Sequence, residues 1–180
     1  MVGPTHHWRR GALWAAAVSV AIGALSLAHA QSMSMTVKSG KVGMIQGDMV
    51  AKGLEGRIEV SALSYALPAG AAGEIITVTT PFGRHLPLLL QAYSINDILS
   101  DVVIDIQRPF TPGVGPSAIG LTKAQTIVLR NARVAAIRMS ETGPTPAAVS
   151  RGRMEIDFRF GSIEITHNPG GITSLREPGR

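Results

Sequence analysis

Residues 153–160 alternate without a break. Arg153, Glu155, Asp157 and Arg159 are charged, and Met154, Ile156, Phe158 and Phe160 between them are apolar. A helix would scatter that pattern around its surface. An extended strand puts every second residue on one face, so the spacing predicts a strand with its apolar face in a core and its charged face in water.

The same period recurs along the chain. In 57–67, Ile58, Val60, Ala62 and Ser64 share one face, while Arg57, Glu59, Ser61, Leu63 and Tyr65 share the other. Residues 74–80 are rich in β-branched side chains, which suits a pleated surface. In 101–108, Val102, Ile104 and Ile106 oppose Asp101, Val103, Asp105 and Gln107. Residues 123–139 read as a long strand or bent hairpin, with a bend or bulge at Asn131-Ala132. Short strands are expected at 42–46 and 162–166. The exception is 85–96, where Leu86, Leu89, Leu90 and Tyr93 recur at helical spacing and Pro87 fits the first turn. That helix is expected to lay its leucine face on the sheet.

Turn residues separate these elements. Gly and Pro number 20 and 11 in 180 residues, which favours many short strands. Residues 68–73, 109–120 and 141–150 read as connections. Gly47, Asp48, Gly53 and Gly56 mark a long flexible loop over 47–56. Residues 31–41 read as a flexible arm and 172–180 as a disordered tail. Strand after strand with one helix predicts a small antiparallel barrel or sandwich.

The first thirty residues differ in kind. His6, His7, Arg9 and Arg10 precede an apolar run over 11–27, and Ala28-His29-Ala30 offers small residues at the positions a signal peptidase reads. The run is short and alanine-rich for a membrane span, so no stable membrane insertion is expected after cleavage. Arg9-Arg10 is followed by Gly11-Ala12-Leu13 and not by a twin-arginine context, so the general export route is expected. The mature protein would then be periplasmic or secreted. A true start at Met33 or Met35 would instead leave it cytoplasmic before secretion.

Composition excludes several classes. There is no cysteine, hence no disulfide and no thiolate metal site. Without Arg9 and Arg10, 15 of the 17 Lys and Arg residues remain against 12 Asp and Glu. That mild, interspersed excess and an aromatic content of 4% argue against a nucleic-acid partner. Hydrophobic residues make up 45%, enough for a core without cross-links.

Catalytic constellations are equally sparse. His85 and His167 are the histidines beyond the leader, and Ser94, Asp97 and Asp101 stand near His85 in sequence, but no nucleophile elbow accompanies them. Asp97, Asp101 and Asp105 would stack close together on one face of a helix, but Val102-Val103-Ile104 argues for a strand there, which breaks that alignment. Gly40, Gly43 and Gly47 lack the Lys-Ser/Thr of a phosphate loop, and Gly113 and Gly115 sit among prolines as a turn. No enzyme activity, cofactor or metal is expected.

The order of several short motifs resembles the Hcp (hemolysin-coregulated) family of type VI secretion. Val42-Gly43-Met44-Ile45-Gln46-Gly47-Asp48 is similar to the family's opening strand and turn. Arg57-Ile58-Glu59-Val60-Ser61-Ala62-Leu63-Ser64-Tyr65 resembles its second strand. His85-Leu86-Pro87-Leu88-Leu89-Leu90-Gln91-Ala92 looks like its helix. Thr126-Ile127-Val128-Leu129-Arg130-Asn131-Ala132-Arg133-Val134 matches its Leu-x-Asn-Ala strand, and Gly161-Ser162-Ile163-Glu164-Ile165-Thr166 its closing strand, with Ile165 where the family prefers Trp. The resemblance implies a mainly β fold, a small antiparallel β-barrel over 42–171 with one flanking α-helix. It also implies a non-enzymatic subunit that forms hexameric rings with copies of itself, stacks them into a tube, carries effectors and meets a spike. The loop of Gly47, Asp48, Gly53 and Gly56 is then a candidate ring contact. The alternative from the residues themselves is a periplasmic barrel that binds a small ligand or a partner strand.

Overall fold

The alternation in 153–160 is realised as strand β8 (Arg153–Arg159), where Met154, Ile156 and Phe158 are fully buried and Arg153 and Glu155 are exposed. Asp157 departs from the expected outward set. It is buried because Arg138 and Thr77 reach over it with hydrogen bonds of 2.8 to 2.9 Å. The structure is a computed structural model that describes residues 32–66, 74–110, 120–141 and 152–177. The expected leader at 1–30 and most of the three Pro/Gly connections lie outside the described residues.

In chain order the elements are β1 (Ser32–Ser39), β2 (Gly43–Ile45), β3 (Ile58–Val60), β4 (Ala62–Ala66), β5 (Ile75–Pro81), α1 (His85–Ser94), β6 (Leu99–Phe110), β7 (Gly120–Ser140), β8, β9 (Ser162–His167) and β10 (Ile172–Arg176). Every ladder is antiparallel. The hydrogen-bonded path runs β2-β1-β6-β7-β8-β5-β4, with β3 on β1, β9 on β7 and β10 on β9. Among the described residues no ladder joins β2 to β4, so the sheet is not closed there. The gap is spanned by chain continuity. β3 pairs with β1, β4 pairs with β5, and Ser61 between them donates its N–H to Thr79 O at 2.8 Å.

Ser61 also explains why the face expected over 57–67 is not kept. Ile58 and Val60 are buried, but Ala62 and Ser64 are exposed, and Leu63 and Tyr65 turn inward instead. Two consecutive outward residues at the kink reverse the phase, as a bulge does.

The bend expected at Asn131 is present. Asn131 has φ +50°, a left-handed conformation that Asn tolerates better than most residues. Before it, Gln125 to Arg130 pair with β9. After it, Arg133 to Ser140 pair with β8. One strand thus serves both halves of the sheet.

In the expected arm over 31–41, the described residues 32–41 do not form an arm. All of β1 lies in this segment and pairs with β6 along eight residues, while β2 and β3 share its other edge. Its apolar positions Met35 and Val37 are fully buried, and its small polar ones, Ser34 and Ser39, are buried on hydrogen bonds to Arg57 and Asp97. The segment reads as loose only because its polar residues are small. Of the expected tail, residues 172–177 are described and 172–176 form β10, which pairs with β9, with Arg176 reaching Glu74 at 2.6 Å.

The core follows from the scarcity of aromatics. Of the largest fully buried side chains, Phe158 is the one aromatic among Ile, Leu and Met. Each such side chain stabilises the fold by about 2 kcal/mol through apolar burial. Helix α1 contributes Leu89 and Ala92, but Leu90 and Tyr93, expected on the same buried face, are substantially exposed.

Candidate interaction surfaces

The loop of 46–57 is folded. Gly47 N–H donates to Gly56 O at 2.8 Å, Gly56 N–H to Met49 O at 2.9 Å and Met49 N–H to Arg57 O at 3.1 Å. Leu54 N–H turns back to Ala51 O at 2.8 Å, and the Leu54 side chain is buried. Gly53 and Gly56 have φ +80° and +72°, which side chains other than glycine rarely adopt. Gly47 has a different role: a Cβ there would lie 2.3 Å from Arg57 O. Gly47→Ala therefore pushes the two legs of the loop apart. The expected cost is about 1–3 kcal/mol, read as a lower urea midpoint.

Asp48 fixes this loop to α1. Its Oδ2 accepts from Arg84 N–H at 3.0 Å, and its Oδ1 lies 3.3 Å from Arg84 Nε, which also donates to Gly47 O. The four expected loop residues are thus brought together, with Val50 fully out in solvent at the tip.

A surface groove of about 450 Å³ opens beside this anchor, walled by Asp48, Met49, Glu59, Phe82 and His85. His85 is buried, with Nε2 3.2 Å from Thr80 Oγ1. Burial holds its imidazole below the usual histidine range. An unfolded chain takes up the proton near pH 6.5, whereas the folded one resists. Stability from this group is therefore full above pH 6.5 and declines as pH falls from there towards the lower folded value. The urea midpoint of the protein should fall between pH 7 and 5.5, and His85→Gln should flatten that slope.

Asp97 and Asp101, also considered for catalysis, are held in structural bonds. Asp97 accepts from the Ser39 hydroxyl, from Lys41 N–H at 3.0 Å and from Ile98 N–H at 2.8 Å. Burial pushes its carboxyl up, but these bonds outweigh it and hold the group below the ordinary range. Asp97 so ties the end of β1 to the chain leaving α1. Asp101 pairs with Arg130 at 3.1 Å, across the β6–β7 ladder. Among the described residues no group of three or more His, Asp or Glu side chains is placed to hold a metal.

Two features escape sequence reasoning. The first is Asp105, fully buried on the polar face of β6. Arg57 Nη1 lies 2.6 Å and Lys123 Nζ 3.0 Å from its Oδ2, and Thr126 donates to its Oδ1 at 2.9 Å. Burial raises its pKa, but Lys123, Arg57 and Thr126 outweigh this and hold the carboxyl below the usual range. The second is a row of exposed apolar side chains along and beyond α1: Phe82, Leu90, Tyr93, Ile95 and Ile98. At the other side, Tyr65 donates to Glu74 at 2.8 Å, and burial followed by the Glu74 charge pushes its hydroxyl to about 12.

Among the described residues, one antiparallel sheet of ten strands with one α-helix on its flank defines a class that known structures can name. The fold is that of the Hcp proteins. A crystal structure of an Hcp protein matches with a TM-score of 0.72 and 14% identity, over 84% of this chain and 99% of that one. The secreted protein Hcp3 from Pseudomonas aeruginosa matches at 0.67 with 19% identity, over 84% and 100%. A type VI secretion system effector from Yersinia pestis matches at 0.59 with 16% identity, over 81% and 98%. No protein-family model and no curated protein matches the sequence.

Proposed function

We propose that the chain is a non-enzymatic structural subunit that assembles with its own copies into a hexameric ring, of the kind that type VI secretion stacks into a tube. The observation that carries this reading is the extent of the likeness: the match takes in essentially the whole length of the Hcp structures. The surface supports it. Among the described residues, strands β2, β4 and β10 each leave one edge without a ladder, and unpaired edges favour a neighbour. The apolar row along α1 offers a neighbouring subunit contact area. Head-to-tail contacts between identical surfaces close into a ring when the rotation per subunit allows it.

In this reading the loop of Gly47, Asp48, Gly53 and Gly56 presents its tip to the next ring, and effectors or spike proteins are the further partners. The 1–30 leader directs the chain out of the cytoplasm, and the mature protein begins at Gln31, directly before β1. Size-exclusion chromatography with light scattering on residues 31–180 tests the assembly. A hexamer is expected, and a monomer at the highest soluble concentration would sink the reading. N-terminal sequencing of protein from fractionated cells tests the export.

A further inference from the structure

Arg133 of β7 and Arg159 of β8 are directly opposed in the β7–β8 register. Directly opposed residues share a face, and like charges there destabilise the pair. The same ladder handles Arg138 differently, giving it both Glu155 and Asp157. Arg57, Arg84, Arg130 and Arg176 also each face a carboxylate. Neither Arg133 nor Arg159 forms an ion pair among the described residues. One Nη of Arg133 is used on Asn96 O at 2.8 Å, where it caps the chain leaving α1. The rest of its guanidinium and all of the exposed Arg159 head remain available.

These two arginines wall a surface groove of about 580 Å³ that also holds Tyr93, Ser94, Asn96 and Ala135. Tyr93 keeps much of its ring exposed to solvent. The β7 ladder slips register between Val134 and Ala136, which places Ala135 in the groove wall. Asn96 and Arg133 also line an adjoining groove of about 480 Å³, whose far side carries Lys41. The one carboxylate there, Asp97, is occupied by Ser39, Lys41 and Ile98. The double groove therefore carries Arg133, Arg159 and Lys41 against one carboxylate, Asp97, whose oxygens already accept from neutral donors, and it has an aromatic wall.

We propose that this groove docks an acidic peptide segment of a partner protein. Its carboxylates bridge Arg133 and Arg159, and an apolar side chain of the segment packs on Tyr93. Guanidinium groups suit this task because their planar fork binds a carboxylate through two parallel hydrogen bonds. An extended peptide running along the two grooves would bring a further acid to Lys41. The repulsion between the arginines, unfavourable in the free protein, is relieved only when the segment is bound. The site lies apart from the loop of Gly47, Asp48, Gly53 and Gly56, and of the apolar row offered to a neighbouring subunit it uses Tyr93 alone.

Fluorescence anisotropy on the full-length chain tests it, with a dye-labelled peptide of alternating Glu and Leu and a second in which Gln replaces Glu. The Glu peptide should bind and the Gln peptide should not. Affinity should drop by roughly tenfold in Arg159→Gln and also fall in Tyr93→Ser. Arg153→Gln, which removes the same charge at the opposite end of β8, should bind like the parent. Arg159→Gln should unfold at no lower temperature than the parent, because it removes a repulsion. Equal binding of both peptides, or an equal loss in Arg153→Gln, would overturn the proposal. So would displacement of the peptide by inorganic phosphate or by duplex DNA at matched charge, or a change in the oligomeric state of Arg159→Gln without peptide. The last result would assign the groove to a contact between copies.

Discussion

Asp105→Ala should lower the unfolding free energy by about 3 kcal/mol, near the low end of what removing one member of a buried ion pair costs. The carboxylate has no exposed surface, and its two cations differ in theirs. Lys123 is half exposed and can turn to water once its partner is gone. Arg57 is mostly covered and keeps only its bond to Ser34. The variant therefore leaves one guanidinium in a poorly hydrated place, and Thr126 loses its acceptor. Asp105→Asn should cost less, because the amide oxygen still accepts from Thr126 or Arg57. Thermal unfolding at fixed protein concentration checks both, and a drop of roughly 10 °C is expected for the alanine variant. The same group adds a pH dependence. Its carboxyl is held below the ordinary value, so its contribution is complete above about pH 4 and is lost as pH falls through the lower folded value. An alanine variant as stable as the parent at pH 7 would show that the cluster contributes nothing.

Phe158→Ala should cost more, about 4 kcal/mol. Phe158 is fully buried near the C-terminal end of β8, opposite Ile76 on β5 and Val134 on β7. Both neighbouring strands hold the backbone in place, so the vacated space cannot collapse. Phe158→Leu keeps most of the volume and should lose less than about 1.5 kcal/mol. Urea unfolding distinguishes the two, with a shifted midpoint and an unchanged slope expected for each. Equal losses for alanine and leucine would mean that ring shape, not filled volume, holds this layer together.

Much of the sheet was readable from period alone. Met154, Ile156, Phe158 and Phe160 are buried as their spacing predicts, and so are Val102, Ile104 and Ile106. The bend at Asn131 was visible because Asn interrupts an alternating run. β1 was hidden for the opposite reason: Ser34 and Ser39 look like linker residues until Arg57 and Asp97 supply their hydrogen bonds. The helix was placed correctly and Leu89 and Leu86 of its expected row meet the core, but Leu90 and Tyr93 are exposed and His85 and Ala92 are buried in their stead, since spacing does not fix how the helix is rotated on the sheet. The glycine loop was recognised by composition. Its closure by Gly47, Gly56 and Met49 and its attachment through Asp48 were not, because both depend on where Arg57 and Arg84 come to lie.

Local sequence decided which stretches extend, which one coils and which side of most strands avoids water, because backbone sterics and side-chain period act between near neighbours. The tertiary structure alone decided which strand lies beside which, and with that every long-range charge pairing. Arg138 finds two acids while Arg133 finds Arg159, a difference set by register between β7 and β8. A shift of one residue there would exchange the partners and turn every side chain to the opposite face, and no nearest-neighbour preference encodes that choice.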